Sequence, residues 1–485
     1  MELGKVLDGL EYSIRGTDYI EISGISYDSR TTKPGDLFVA ISGMRVDGHD
    51  FVYEVAQKGA AALLVEEEIP DLALTQVIAK NTRYALGLVS ANFYNHPAQK
   101  LRVLGITGTN GKTTSTYLVK SILEQAGYKV GLIGTIETVI GDIVLESGRT
   151  TPESLDLQRL FSEMVEKGMD YVVMEVSSHA LDLGRTAGIS FVGALFTNLS
   201  QDHLDFHTTM EEYFSAKAKL FKHLEGPAII NADDAWGTKL LALPSVRSCT
   251  YGVEKEADFR AEKIQLENGG VSYILKSEVG QIPIHLKLTG YFNVYNSLGA
   301  AALCLSQGVS LAEIREGLMA APGVPGRFER IENDLGLNVV VDYAHTPHGL
   351  ENVLISAREL TPQGRLIIVF GAGGDRDMTK RPLMGAVAAR LADVVILTSD
   401  NPRSEDPAVI CSSIEKGLLS TNPQVDYAII VQRRAAIDRA IRMATPDDLV
   451  IVAGKGHETY QESALGRIHF DDREEIKRTI KELKD

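Results

Sequence analysis

Residues 105–114 read Gly-Ile-Thr-Gly-Thr-Asn-Gly-Lys-Thr-Thr and lie between two segments of different periodicity. Ahead of them, Leu101 to Ile106 is a short apolar run rich in β-branched residues, which predicts a buried strand. Behind them, Tyr117, Leu118, Ile122 and Leu123 recur at helical spacing, so Lys112 to Gln125 is expected as a helix stopped by Gly127. A glycine-rich turn leading from a strand into a helix that opens Lys-Thr-Thr is the pattern of a phosphate-binding loop. Gly108 and Gly111 let the backbone N–H groups of Gly108, Thr109, Asn110 and Gly111 curl inward. The helix N-terminus adds partial positive charge, and Lys112 can reach the outer phosphates of a nucleotide. Thr113 or Thr114 can offer a hydroxyl to Mg²⁺. Ile106 stands where the strict G-x-x-x-x-G-K-T spacing wants its first glycine. The plain alternative is a strand-to-helix turn that merely needs glycine.

A chain of 485 residues is too long for one core and predicts about three domains. Hydrophobic residues at 44% and charged residues at 24% describe an ordinary soluble globular protein. The net charge of −16 argues against a nucleic-acid partner held through phosphates, although a local loop can still bind an anionic ligand. Cys249, Cys304 and Cys411 lie far apart without metal-like spacing and are expected as core residues in a reducing compartment. The N-terminus carries early charges and no apolar signal core, and no apolar run approaches the roughly 18 residues of a membrane span. A cytoplasmic monomer with no membrane span is the expectation.

The fold class expected is α/β in three domains. Residues 1–98 hold short alternating runs such as Asp36 to Ile41 and a helix around Asp50 to Lys58, and Asn95-His96-Pro97-Ala98 reads as a linker. Residues 99–330 continue with strands at Lys129 to Thr135, Tyr171 to Val176 and Phe191 to Asn198 and a helix at Leu155 to Lys167. That alternation predicts a phosphate-loop NTPase-like, mostly parallel sheet covered on both faces. Residues 331–485 repeat the theme as a Rossmann-like doubly wound domain, with strands at Asn338 to Asp342, Arg365 to Phe370, Asp393 to Leu397 and Leu449 to Ala453. Ligands gather at the carboxyl ends of such strands. The polar clusters sit there: Glu175 with Ser177, the run from Thr197 through His203 to His207, and Ser399-Asp400-Asn401-Pro402-Arg403. Thr150-Thr151-Pro152 precedes a helix. Glu175, at a strand end beside the phosphate loop, is a candidate Mg²⁺ ligand. Arg403 can fork onto a carboxylate, or can pair within its own loop with Glu405 or Asp406.

The stretch Gly-Thr-Asn-Gly-Lys-Thr-Thr resembles the muramyl ligase family, and the likeness continues along most of the chain. Asp28-Ser29-Arg30, Asp-His-Leu-Asp-Phe-His from Asp202, Asp342-Tyr343-Ala344-His345-Thr346-Pro347, Gly-Gly-Asp-Arg-Asp from Gly373 and Gly454-Lys455-Gly456-His457-Glu458 all fit it. The resemblance implies an ATP-dependent, amide-forming ligase of cell-wall precursor synthesis that works through an acyl phosphate. It implies that Ser29 and the loop Met44 to Val46 hold a uridine nucleotide sugar, and that Thr150, Thr151, Ser177 and Arg185 hold its sugar-peptide part. It implies ATP contacts from Asn293 or Asn296, from Arg327 and from Asp342, with Lys112 and His203 in the chemistry and His203 near a metal ion. Asn296 also fits simple helix capping.

The family carries a lysine carbamylated by CO₂ at the position matching Lys217, which would make that side chain an anionic Mg²⁺ ligand. Lys219 points about 200° away on a helix expected from Met210 to Leu224 and should not share the role. Asp-Asn-Pro-Arg looks like the signature for meso-diaminopimelate among ligases that add the third peptide residue. By the same match Arg376, Asp400, Asn401, Pro402, Arg403, Gly454 and Glu458 hold that amino acid. The acceptor implied is UDP-N-acetylmuramoyl-L-alanyl-D-glutamate. The same ligase using L-lysine, a folylpolyglutamate synthetase relative, and a non-catalytic phosphate-loop scaffold are the other readings. Pro322 to Arg327 is expected as a hinge.

Overall fold

The computed structural model describes residues 1–43, 46–222, 224–243, 247–267 and 269–484. The chain forms two compact units: residues 1–107, 127–194 and 216–228 make one, and residues 108–126, 195–215 and 229–485 the other.

In the first unit, a five-stranded sheet runs in the order Ser13–Arg15, Thr75–Ile78, Ala62–Val65, Asp36–Val39, Gly24–Ser26. Only the Ser13–Arg15 pairing is antiparallel. Alternate residues bury on opposite faces. Leu37, Val39 and Leu64 pack with Leu86 and Val89 of the helix Thr82–Phe93, while Phe38, Leu63 and Val65 pack with Val52 and Val55. The expected helix around Asp50 to Lys58 is a 3₁₀ turn, Gly48–Phe51, followed by the helix Val52–Gln57. Past Asn95 and His96, both left-handed, the strand Arg102–Thr107 lies parallel to Tyr171–Glu175, with Ile106 opposite Glu175. Tyr171–Glu175 also pairs in parallel with Val130–Ile133. The hairpin of Glu137–Ile140 and Ile143–Glu146 then adds antiparallel strands that the expected parallel sheet did not include.

In the second unit, the helix Lys112–Gln125 spans the residues expected. It packs against Tyr291–Ser306 and Leu311–Ala320, and a Cβ on Gly317 would lie 2.4 Å from Ile122 Cα, so these backbones touch. Phe259–Glu267, Gly270–Ser277 and Gly280–Leu286 form an antiparallel meander. Among the cysteines, Cys304 and Cys411 are buried as expected, but Cys249 is half-exposed.

The six-stranded sheet of the second unit runs Glu329–Arg330, Asn338–Asp342, Leu449–Ala453, Leu366–Phe370, Val394–Leu397, Asp426–Ile429. All its pairings are parallel except that of Glu329–Arg330. Ile368 and Ile451 bury on one face and Ile367, Val369, Val450 and Val452 on the other, so helices cover both faces. The carboxyl ends of four strands therefore deliver Asp342, Gly371–Arg376, Asp400–Arg403 and Gly454–Glu458 to one edge. Among the described residues no helix is long and apolar enough to cross a membrane.

At the opposite edge Asp448 binds the starts of two strands. It accepts from the Arg365 N–H at 2.9 Å, from Arg365 Nη2 at 2.7 Å and from the Thr445 N–H at 2.8 Å. The Arg365 hydrogen bonds lead the causes that hold its carboxyl well below the usual range. A depressed carboxyl adds stability above its unfolded pKa and loses it as pH falls toward the folded one. Asp448→Asn is therefore expected to cost about 1–3 kcal/mol at pH 7, and less at pH 3. Denaturant titrations at both pH values test this; an equal gap at both would contradict it.

Candidate active-site residues

The phosphate loop is stitched to the segment 197–200 within its own unit. Thr109 N–H donates to Asn198 O at 2.9 Å, Asn110 N–H to Asn198 Oδ1 at 3.0 Å, and Thr197 Oγ1 to Asn110 O at 2.6 Å. Gly111 has φ +84°, and a Cβ there would fall 2.3 Å from Asn296 Oδ1, so only glycine fits. Asn296 in turn donates to Asn293 Oδ1 at 2.9 Å. Both asparagines thus stand beside the loop in one buried chain. Lys112 Nζ reaches back to the carbonyls of Gly108 and Thr109 at 3.0 and 2.9 Å. Arg327 Nη2 donates to Thr113 Oγ1 at 3.2 Å, and its guanidinium lies 4.2 Å over the Tyr343 ring. The Asp342 carboxylate is buried and accepts from the N–H groups of Phe328 and Ala344 at 2.6 and 2.7 Å. In this arrangement Asp342 shapes the backbone beside Arg327.

Two residues past that segment, Asp202 was read in the sequence only as the start of a motif and given no role of its own. Its side chain is buried, 3.4 Å from Lys380 Nζ, 3.4 Å from His203 Nε2 and 3.7 Å from His345 Nε2. Burial pushes its carboxyl up, and His203, Lys380 and His345 more than offset this, holding it well below the usual range. Gln201 adds a hydrogen bond to Thr379 Oγ1 at 3.0 Å. The residues next to the phosphate loop are thereby tied to the start of the helix Lys380–Leu391. His203 is left-handed, at φ +56°, a conformation that concentrates at functional positions in non-glycine residues.

The residues matched to the amino acid do converge. Arg403, also left-handed at φ +51°, donates from Nη1 to Gly374 O at 2.7 Å, and its Nε lies 3.2 Å from Glu462 Oε2. The loop pairing considered for it is not formed, because Glu405 is taken by Arg381 at 2.8 Å. Arg403 Nη2 donates no hydrogen bond among the described residues. Asp400 is buried; its Oδ1 accepts the Asn401 N–H at 2.6 Å, and its Oδ2 has no partner among the described residues. Gly454, at φ +111°, lies so close that a Cβ would be 2.3 Å from that oxygen. Glu458 accepts from Asn401 Nδ2 at 2.8 Å and Lys455 Nζ at 2.9 Å. Pro402 packs on Gly374, where a Cβ would meet Pro402 O at 1.9 Å. Arg376 is exposed and bonds only the neighbouring Asp375 carbonyl among the described residues. Its Cγ nevertheless lies beside Arg403: a Cβ on Gly373 would be 3.7 Å from Arg376 Cγ and 3.0 Å from Arg403 Nη1.

In the first unit, Glu175 is fully buried, and its oxygens accept from Thr135 N–H at 2.8 Å and Thr135 Oγ1 at 3.0 Å. Thr151 Oγ1 donates to Glu175 O at 2.9 Å and accepts from the Ser177 N–H at 3.1 Å. Thr150 Oγ1 lies 3.0 Å from Thr135 Oγ1. Arg185 Nη1 donates to Thr151 O at 3.1 Å. Sequence reasoning missed the buried Glu153. It pairs with Arg185 at 3.0 Å, Arg149 at 2.5 Å and Arg83 at 3.6 Å, so one carboxylate collects three guanidiniums and leaves local positive charge in an acidic chain. Ser29 is half-buried and its carbonyl accepts from Lys58 Nζ at 2.7 Å; Met44 and Arg45 lie outside the described residues.

Lys217 is buried, whereas Lys219 is half-exposed and pairs with Asp182 at 2.6 Å. The contrast agrees with their expected opposite directions, although the α-helix ends at Ala218 and Lys219–Phe221 is 3₁₀. A buried lysine is costly as a bare cation, and a carbamate there, like the buried Glu175 carboxylate, would suit a hard cation that takes oxygen ligands.

Residues 106–304 match the Mur ligase middle domain, residues 326–456 the glutamate ligase domain of Mur ligases, and residues 21–94 the catalytic domain of the Mur ligase family. The chain belongs to the Mur ligase family and is a ligase. A UDP-N-acetylmuramoyl-L-alanyl-D-glutamate–2,6-diaminopimelate ligase from Clostridium botulinum is 48% identical to it over 100% of both chains. One from Clostridium tetani is 47% identical, again over 100% of both. A solved structure of a ligase of that name is 31% identical, with a TM-score of 0.70, and covers 100% of this chain and 99% of its own.

Proposed function

We propose that this chain is the ATP-dependent ligase that joins meso-diaminopimelate to UDP-N-acetylmuramoyl-L-alanyl-D-glutamate in peptidoglycan precursor synthesis. The observation that carries the substrate choice is the pairing of charges at one strand edge. Arg403 keeps Nη2 turned to no hydrogen-bond acceptor, and Asp400 keeps Oδ2 buried and unpartnered, among the described residues. An amino acid whose far end bears both an ammonium and a carboxylate supplies what these two atoms want. L-lysine has no second carboxylate for Arg403.

A carboxylate is a poor electrophile, so it must be activated. The γ-phosphoryl group of ATP passes to the substrate carboxylate as the bond to the β,γ-bridging oxygen breaks and ADP leaves, with Lys112 offsetting the charge on the transferring oxygens. The amine of diaminopimelate then attacks the acyl phosphate, the new amide bond forms and phosphate leaves. No covalent enzyme nucleophile is needed. Thr113 and His203, and likewise Glu175 and carbamylated Lys217, are proposed as Mg²⁺ ligands, and the ion when bound would neutralise phosphate charge. Asn293 and Arg327 are proposed on the nucleotide, and Ser29, Thr150, Thr151, Ser177 and Arg185 on the nucleotide-sugar peptide. The division of labour proposed is 1–98 for the uridine nucleotide sugar, 99–330 for ATP and 331–485 for the amino acid. A cytoplasmic monomer fits these soluble substrates.

Phosphate release from ATP, measured with the UDP-muramoyl dipeptide and either meso-diaminopimelate or L-lysine, tests the reading, with mass analysis of the product. Turnover with diaminopimelate alone is expected. Equal turnover with lysine would overturn the substrate choice, and no turnover with either would overturn the ligase chemistry.

A further inference from the structure

Arg433 opens the helix Arg433–Met443 and is buried completely together with Asp472. Its Nε and Nη2 fork onto the two Asp472 oxygens, each at 2.7 Å. The same guanidinium donates from Nη2 to Ala453 O at 2.9 Å and from Nη1 to Ser399 O at 3.3 Å. These carbonyls belong to the residues immediately before Gly454 and Asp400. One cation thus pins the ends of two neighbouring loops at the place where a Cβ on Gly454 would fall 2.3 Å from Asp400 Oδ2. The Asp400 oxygen at that approach is the buried one with no partner among the described residues. Burial works against the Arg433 charge, yet Asp472 first, then Asp400 and Glu458, raise its pKa, so the pin sits in the field of the pocket's carboxylates.

We propose that Arg433, held in register by Asp472, is a positioning residue for the amino-acid pocket: it fixes the Ser399 and Ala453 carbonyls and thereby keeps the free oxygen of Asp400 aimed at the ammonium group of the incoming amino acid. This rests on the assignment of Asp400 and Gly454 to that pocket. Arg433 need not touch the substrate, and its effect is confined to one of three ligands.

The test compares the wild-type chain, Arg433→Lys and the double variant Arg433→Met with Asp472→Leu. The double variant removes the pair without stranding a buried charge, a change that folded proteins tolerate. Folding is checked by circular dichroism, and KM is measured separately for ATP, the UDP-muramoyl dipeptide and meso-diaminopimelate. The expected result is at least a tenfold rise in KM for diaminopimelate in the double variant and a smaller rise in Arg433→Lys, with the other two KM values within twofold. An unchanged diaminopimelate KM, or an equal rise in all three, would overturn the proposal. If the double variant does not fold, Arg433→Lys decides by the same comparison. Failure of the substrate assignment is seen separately, as wild-type enzyme that does not use diaminopimelate.

Discussion

Lys112→Met is expected to leave the chain folded and to lower kcat by about a thousandfold, as loss of a charge positioned on a transferring phosphoryl group does. The helix it opens does not depend on it. Gly111 supplies the left-handed turn, and the loop is fastened by backbone and side-chain bonds from Thr109 and Asn110 to residues 197–200. The Lys112 amine instead lies across the loop, on the carbonyls of Gly108 and Thr109, at the start of the helix where a phosphate would meet it. Met keeps the apolar stem and removes the charge. Phosphate release at saturating ATP measures the loss, and circular dichroism checks the fold. A kcat within tenfold of wild type would show that the charge is not used on the transferring group.

Arg403→Ala is expected to raise KM for meso-diaminopimelate by about a hundredfold, since truncating one partner of a desolvated, forked charge pair costs about 2–5 kcal/mol. Arg403 is left-handed, so alanine adds backbone strain that glycine does not. Arg403→Gly is the matching control and should show the same KM rise with a smaller loss of thermal stability. Arg403→Lys keeps charge but not the fork, and should fall between. Weak turnover of L-lysine, if any, should change little. Parallel loss with both amino acids would mean that Arg403 holds its loop through Gly374 and Glu462 and does not read the carboxylate.

Why some of this could be read in the chain and some not is visible in particular residues. The strands Asn338–Asp342 and Leu449–Ala453 fall where apolar runs put them, because strands buried on both faces must be apolar throughout. The strands from Phe259 to Leu286 were missed. They alternate polar with apolar residues and carry a register shift between Glu262 and Gln265, which breaks the simple period. In the candidate site, the motif residues were legible because their order is local. Their partners were not. Asp202 meets Lys380, which is 178 residues away, and Glu153 gathers Arg83 and Arg185 from distant segments. No spacing rule encodes such pairs. Arg403 illustrates the cost: Glu405 is near in sequence, but Glu462 is near in space.

The Asp202 cluster has a thermodynamic meaning beyond its geometry. Residues 198–200 hold the phosphate loop, and Asp202 and Gln201 hold Lys380 and Thr379, a few residues beyond the glycine loop of the amino-acid pocket. Two ligands that prefer one and the same arrangement of these contacts cannot bind independently. Whatever factor nucleotide adds to the affinity for amino acid, amino acid must return to nucleotide. Calorimetric titration of a non-hydrolysable ATP analogue with and without meso-diaminopimelate is expected to show mutual tightening, reduced in Lys380→Met. Equal coupling in wild type and variant would place the communication elsewhere. Coupling of this kind sets no order of addition; it makes the state that holds nucleotide and amine together more populated than independent binding would.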